Sequence, residues 1–173
     1  MGTPVKPDPV KLFVGMLSRS PGLLDEVEGM LVETFGETDV RSADLAFDFT
    51  DYYTDSMGDG LLRRFVSFAG LIDPGELAEV KLRTNEMEEA FAGRSDAKVS
   101  RPVNLDPGYL TPAKVVLATT KNQAHRVCLR GGIYAEVTLS YHKGCYEPNP
   151  WTYPDYRTEA YREFFAGMRE RLH

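Results

Sequence analysis

The chain has few cysteines and no long hydrophobic run, and each shortage excludes a class of protein. Cys128 and Cys145 are the two cysteines of 173 residues, and they do not form a C-x-x-C pair. A disulfide framework or a site of paired zinc ligands is therefore not expected. No apolar stretch approaches the roughly 20 residues of a transmembrane helix, and the N-terminus lacks the pattern of a secretory signal. We expect no membrane contact and a reducing, cytoplasmic location.

Short motifs of several common activities are missing as well. The sequence has no G-x-x-x-x-G-K-[ST], no G-x-G-x-x-G after a strand, no G-x-S-x-G and no H-E-x-x-H. Phosphate-loop nucleotide hydrolysis, Rossmann cofactor binding, serine hydrolysis and zincin chemistry are excluded on this basis. An excess of basic residues is also lacking, because the formal net charge is -6. Broad electrostatic binding to nucleic acid is therefore disfavoured.

What is present indicates a single globular domain. Hydrophobic residues make up 42% of the chain and charged residues 27%, which is ordinary for a globular protein that buries a full core. Residues 1–9 contain three prolines and little that is apolar. We interpret them as a flexible lead-in and assign residues 10–173 to one α+β domain.

The first hundred residues alternate between strand and helix signals. Apolar runs or period-two patterns predict strands near residues 10–17, 40–49, 61–69 and 99–105. Ser20-Pro21 and Asp73-Pro74 are each typical of a helix cap followed by proline at the first helical position. These caps predict helices that end near Gly36 and Gly93. The order strand, helix, strand, strand, helix, strand predicts a ferredoxin-like split β-α-β core, with an antiparallel sheet carrying both helices on one face.

The remaining chain predicts a hairpin and a C-terminal helix added to this core. Residues 112–120 fit a short helix or a strand, and periodicity does not decide between them. Gly131-Gly132 supplies the positive φ of a tight turn between residues 125–129 and 133–142. A two-residue loop would pair Leu129 with Tyr134, Val127 with Glu136 and His125 with Thr138, and would turn Cys128 toward the core. The last helix is expected to begin near Thr158.

Polar side chains concentrate in three places that suggest a site. The first is the end of the second predicted strand, Asp48 to Tyr53, with Arg64 across the expected hairpin. The second is Asn104 to Tyr109, read as an Asp-Pro-Gly turn before a possible helix start at Thr111. The third is the hairpin face that carries His125 and Glu136. A solvated turn or hairpin face is the structural alternative for each of them.

Histidine and carboxylates at these places suggest acid–base chemistry. His125 near Glu136 could act as a general base or a metal ligand, and a divalent metal is compatible with the carboxylates. In the hairpin register above, however, His125 and Glu136 lie two pairs apart, so a direct bond needs a favourable twist or a third group. We assign the catalytic role to Asp48, Asp106, His125 and Glu136. The residues assigned to ligand binding are Asp51, Tyr53, Arg64, Asn104, Tyr109, Lys121, Arg126, Tyr134 and Trp151.

Several segments together resemble a known family. They are residues 11–17, 47–53, 64–68, 104–110, 117–121, 132–139 and 150–156. Across nearly the whole chain these segments are similar to an uncharacterised bacterial family of unknown function. Some of its members carry a GTP-binding label. The present chain has neither a phosphate loop nor an Asn-Lys-x-Asp motif, and we do not carry that label over.

The sequence thus predicts a cytoplasmic domain that binds a small anionic or nucleotide-like molecule. Carboxylates among basic groups favour an enzyme over an inert binding site. The alternative is a non-catalytic interaction or structural domain that forms a homodimer. Substrate, reaction and cofactor are not defined by the sequence.

Overall fold

The computed structural model describes residues 2–172 and combines four helices with a nine-stranded sheet. The α+β class is confirmed. The strands are β1 (Val10–Ser18), β2 (Thr38–Arg41), β3 (Leu45–Phe47), β4 (Leu61–Ile72), β5 (Asn104–Leu110), β6 (Lys114–Thr119), β7 (Val127–Arg130), β8 (Ile133–His142) and β9 (Cys145–Pro148). The helices are α1 (Pro21–Phe35), α2 (Thr54–Met57), α3 (Leu77–Ala92) and α4 (Glu159–Glu170), and 3-10 turns occupy Asp51–Tyr53, Pro74–Glu76 and Asp155–Arg157.

The helix starts predicted at Ser20-Pro21 and Asp73-Pro74 are confirmed. The Ser20 side chain accepts a hydrogen bond from the Leu23 amide, and α1 ends before Gly36, whose φ is +96°. The Asp73 carboxylate accepts from the Gly75 amide at 2.8 Å, and the short 3-10 turn there leads into α3. Side-chain acceptors at these caps satisfy amides that have no partner inside the helix.

The sheet is antiparallel and has the order β2-β4-β1-β5-β6-β8-β7. β3 extends the β4 edge and β9 pairs with β8. The predicted second strand is interrupted, because residues 42–44 leave the sheet between β2 and β3. Central strand β1 is buried along its whole length, since both faces of the sheet are covered.

The two faces of the sheet carry separate cores. α1 and α3 cover the face that presents Leu12, Val14 and Met16 of β1, which we call the helix-pair face. α4 covers the opposite face, where Phe13 and Phe65 pack against Phe165. We call this second surface the α4 face. It is where the polar residues of interest lie.

Residues 104–110 are a central strand and not the predicted turn. β5 pairs with β1 from Lys11↔Leu110 to Leu17↔Asn104 and includes Pro107 and Gly108. The Leu105 amide points away from β1 and donates to Glu88 Oε1 at 2.7 Å. Because Pro107 lies two residues further on, its missing N–H falls on the same outer side and costs no bond to β1. Of the two alternatives for residues 112–120, helix or strand, the structure contains the strand, at Lys114–Thr119.

β5 and β6 separate at one end. They pair only from Leu110↔Val115 to Gly108↔Leu117. Beyond that point α3 supplies the partners of Leu105, because Lys81 Nζ donates to its carbonyl at 2.6 Å and Glu88 accepts from its amide. Two helix side chains therefore replace a strand, and the sheet stays open there.

The hairpin prediction was correct in its turn and wrong in its register. Gly131 and Gly132 have φ of +58° and +77°, and Arg130 pairs with Ile133 as expected. A bulge at Leu129 then shifts the strand, so that Cys128 pairs with Tyr134 and Val127 with Ala135. β7 is an exposed edge strand, and Cys128 is exposed rather than buried in the core.

Candidate functional site

A cavity of about 790 Å³ opens on the α4 face, at the end that α4 does not cover. Its lining holds five basic and three acidic side chains together with six aromatic ones. The basic residues are Arg63, Lys81, Arg101, Lys121 and Arg126; the acidic ones are Asp106, Glu136 and Asp155; the aromatic ones are Phe47, Phe49, Tyr52, Tyr53, Tyr153 and Tyr156. Segments 47–53 and 153–156 form its sides.

Strand register explains why these side chains meet. Residues directly opposite each other in antiparallel strands point to the same face. Gly15 faces both Phe65 of β4 and Asp106 of β5, and Leu117 of β6 faces Glu136 of β8. A Cβ atom at Gly15 would lie 2.8 Å from the Phe65 ring and 2.9 Å from Arg63 Nη1. The missing side chain at Gly15 thus leaves room for the Arg63 guanidinium over the sheet.

Arg63 and Asp106 form the floor of the cavity. Arg63 is 2% exposed, and its Nη1 donates to Asp106 Oδ2 at 2.8 Å. Asn104 also donates to this oxygen, and Arg101 donates to Asn104 Oδ1. Burial opposes ionisation of Asp106, but the charges of Arg63, Lys81 and Arg101 outweigh it and lower its pKa. Asp106 is therefore an ionised counter-charge rather than a proton donor.

Asp155 lies on the other side of the same guanidinium in a different environment. Its Oδ2 is 3.7 Å from Arg63 Nη2, beyond hydrogen-bond distance. Burial raises the pKa of Asp155, Arg63 opposes that rise, and the nearby Asp106 adds to it. The two carboxyl groups beside Arg63 thus have pKa values that are shifted in opposite directions.

Glu136 organises a second cluster of polar groups. Its Oε2 accepts from Arg126 Nε at 2.7 Å and lies 3.1 Å from His125 Nε2. Arg126 Nη2 also donates to the Tyr153 hydroxyl at 2.5 Å, which ties segment 153–156 to the hairpin. His125 stacks on Trp151, with ring centroids 5.4 Å apart. His125 therefore supports Glu136 from outside the cavity.

Aromatic rings and one lysine define the outer side. Lys121 Nζ lies 3.8 Å from the centre of the Tyr52 ring, a cation–π distance. The neighbouring Lys121 ammonium lowers the pKa of the Tyr52 hydroxyl. Tyr53 lies deeper, and burial raises the pKa of its hydroxyl.

Comparison with protein families identifies the group to which the chain belongs. The family described as DUF4416, a domain of unknown function, matches residues 8–172. The chain belongs to DUF4416. No curated protein and no solved structure matches it.

In this DUF4416 chain the structure brings together six of the predicted site residues: Tyr53, Asn104, Asp106, Lys121, Arg126 and Glu136. His125 and Trp151 lie behind Glu136 and do not line the cavity. The other five lie elsewhere: Asp48, Asp51, Arg64, Tyr109 and Tyr134. Asp48 and Asp51 are exposed, and Tyr109 packs on the helix-pair side beside Val116.

Arg64 was placed at the site wrongly, because it points to the opposite face. It is 2% exposed and donates to Asp44, Asp25 and Glu28 near α1. Arg63 occupies the cavity instead. The signal was in the sequence, since Arg63 shares the period-two face of Phe65, whereas Arg64 does not.

Other lining residues had no local signal. Lys81 comes from α3 on the far side of the sheet, Arg101 from the segment before β5, and Asp155 from the proline-rich segment. Only folding brings these residues together.

Two further expectations can be compared with the DUF4416 structure. Among residues 2–172, no three His, Cys, Asp or Glu side chains lie close enough together to hold a metal ion. Within the same residues, no helix is both long and apolar enough to cross a bilayer.

Proposed function

We propose that the cavity binds a small anionic molecule that bears a carboxylate or phosphate group. One observation carries this proposal: basic side chains outnumber acidic ones five to three in the lining, although the whole chain has a net charge of -6. A concave site whose lining carries a net charge concentrates ligands of the opposite sign.

The size and lining of the cavity support a ligand with a flat apolar part. A volume of about 790 Å³ lies within the range of small-molecule sites, roughly 300–1,000 Å³. Phe49 and Tyr52 line the cavity, are exposed at 36% and 59%, and offer aromatic surface to a ligand, with Lys121 beside the Tyr52 ring. A nucleotide-like molecule combines such a ring with an anionic group.

Lys121 is the basic residue best placed to meet a ligand. Arg63 Nη1 and Arg126 Nε already pair with Asp106 and Glu136, respectively. Lys121 has no ion pair within 4 Å among residues 2–172, and it is exposed beside the aromatic rings. The catalytic role assigned to Asp48, Asp106, His125 and Glu136, and the alternative of an interaction domain, stay predictions.

A thermal-shift screen tests the proposal. We expect at least one of four compounds to raise the Tm: inorganic phosphate, benzoate, adenosine 5′-monophosphate or glucose 6-phosphate. A ligand that binds only the folded state stabilises it. Lys121→Met should weaken that shift. Lys114→Met is the matched control, since Lys114 is exposed and lies outside the lining. If no compound shifts the wild-type Tm, the proposal fails.

We also infer that β1, β2, β4 and β5 with α1 and α3 form a ferredoxin-like core. The antiparallel order β2-β4-β1-β5 and the shared helix-pair face support this assignment. The assignment of residues 10–173 to one domain and the cytoplasmic location remain expectations from the sequence.

A further inference from the structure

Two buried donors on one side of the cavity have no partner within the described residues. They are Arg63 Nε and the Tyr156 hydroxyl, and both residues are 2% exposed and line the cavity. Buried polar groups in folded proteins are nearly always hydrogen-bonded, because a lost partner costs about 1–3 kcal/mol. A ligand that reaches these two groups through the cavity would supply the missing partner.

Asp155 completes this side of the cavity. It precedes Tyr156 in a 3-10 turn, is 5% exposed and lies beside Arg63 at 3.7 Å. We call Arg63, Asp155 and Tyr156 the inner wall. Charged or titratable groups face Asp155 from three elements: Arg63 of β4, Asp106 of β5 and Tyr161 of α4.

We propose that the inner wall binds an anionic oxygen of the ligand, with the Tyr156 hydroxyl and Arg63 Nε as hydrogen-bond donors. The ligand group is a carboxylate or a phosphate, and this assignment rests on the proposed function. It adds the place where the anion is held and the groups that hold it. The flat part of the ligand then extends outward toward Tyr52 and Lys121.

Asp155 does not rule out an anion at this place. An ionised carboxylate beside the ligand would repel it, but burial raises the pKa of Asp155 and favours its neutral form. The Arg63 guanidinium, 3.7 Å from the Asp155 carboxylate, also offsets its charge.

The aromatic cluster offers a matched pair of variants. Tyr156 and Tyr161 are both 2% exposed, their ring centroids are 5.3 Å apart, and each hydroxyl lacks a partner. Only Tyr156 lines the cavity. Tyr156→Phe and Tyr161→Phe each remove one hydroxyl and keep the ring.

Isothermal titration with inorganic phosphate and with benzoate tests the inner wall and separates the two ligand chemistries. For whichever anion binds, Tyr156→Phe should raise the Kd on the order of tenfold to a hundredfold, because a hydrogen bond to a charged group is lost. Tyr161→Phe should change the Kd much less, because Tyr161 lies beside Arg63 but does not line the cavity. Asp155→Asn should keep or improve binding, since it removes the only acidic group of the inner wall.

The outcomes distinguish this inference from the proposed function. If an anion binds the wild type and Tyr156→Phe equally while Lys121→Met loses it, the cavity function stands and the inner-wall assignment is overturned. If neither these anions nor the screened phosphates bind the wild type, both proposals fail. Without ligand, both phenylalanine variants should keep or raise the Tm. A fall confined to Tyr156→Phe would reveal a partner inside the fold and would also overturn the assignment.

Discussion

The two ends of the α4 face are built on the same strands and have opposite chemistry. Under α4, β1 presents Phe13 and β4 presents Phe65, and these rings pack against Phe165. Two residues further along the same strands stand Gly15 and Arg63. We call these regions the apolar end and the polar end.

The other strands make the same change. β5 passes from Leu110 to Asp106, and β8 from Leu139 to Glu136. A core that only had to be stable would continue its apolar residues to the end of the sheet, because a buried ion pair gives less stability than well-packed hydrophobic residues of similar size. The difference between the ends supports the proposal that the polar end binds a ligand.

The largest effect is expected from breaking the central ion pair of the polar end. Asp106→Asn leaves Arg63 buried without its 2.8 Å partner and should lower the free energy of unfolding by about 3–5 kcal/mol in a urea titration at pH 7. Because the pKa of Asp106 is lowered on folding, the stability it gives is present above the ordinary value of 3.8 and is lost as the pH falls through the folded pKa. The difference in free energy of unfolding between the wild type and Asp106→Asn should therefore become smaller as the pH falls below 3.8.

The control for this experiment is Glu86→Gln. Glu86 pairs with Arg83 at 2.9 Å, but both side chains are more than half exposed. Its loss should cost only about 0–1 kcal/mol. Equal losses in Asp106→Asn and Glu86→Gln would contradict the burial argument.

Replacing the charged residues of the polar end by uncharged ones should recover the stability that Asp106→Asn loses. Arg63→Met and Asp106→Leu combined, in an Asp155→Asn background, remove the charges of the floor together. We expect a free energy of unfolding equal to the wild type or up to about 4 kcal/mol higher, with anion binding abolished. A triple variant as unstable as Asp106→Asn would mean that the polar end contributes to the fold itself.

A smaller loss is expected where the two ends meet. The added Cβ of Gly15→Ala would lie 2.8 Å from the Phe65 ring and 2.9 Å from the Arg63 guanidinium and would push both away. This overpacking should lower the free energy of unfolding by about 1–3 kcal/mol. Gly29→Ala in α1 is the control, because nothing lies within 4 Å of its added Cβ. The control should gain about 0.5–1 kcal/mol from the better helix propensity of alanine. Thermal unfolding at pH 7 measures both.

The smallest expected effect is a gain at Asp155. Its raised pKa means that the folded chain holds the proton more tightly than the unfolded chain, so stability falls as the pH rises from 3.8 through the folded pKa. Asp155→Asn has no ionisable group at this position, so its stability does not fall in this way as the pH rises. We expect the variant to be more stable by on the order of 1 kcal/mol at pH 7 and equal to the wild type below pH 3.8. A pH series of Tm values that stays parallel for both proteins would contradict this prediction.

Local signals in the sequence predicted the regular elements well. Ser20-Pro21 and Asp73-Pro74 mark helix starts that the structure contains, and Gly131-Gly132 marks the turn. The strand at Asn104–Leu110 was missed because Asp-Pro-Gly usually makes a turn. Whether a strand tolerates Pro107 depends on the side to which its nitrogen points, and only the pairing with β1 fixes that side.

The site was predictable only in part, for a similar reason. Lys121, Arg126 and Glu136 lie near one another along the chain, and their grouping was visible. The partners of the inner wall come from β4 and from the segment before α4, far apart in sequence. Period-two counting from Phe65 could have chosen Arg63 over Arg64, but nothing local pointed to Asp155.

Through the opening between β5 and β6, a side chain from the helix-pair face reaches the α4 face of the sheet. Lys81 lines the cavity on the α4 face, yet it belongs to α3 on the helix-pair face and holds the Leu105 carbonyl. A ligand that draws the Lys81 ammonium toward itself would weaken that backbone bond, next to the Leu105 amide that Glu88 holds. Amide exchange at Leu105 would thus report on cavity occupancy from the other side of the sheet.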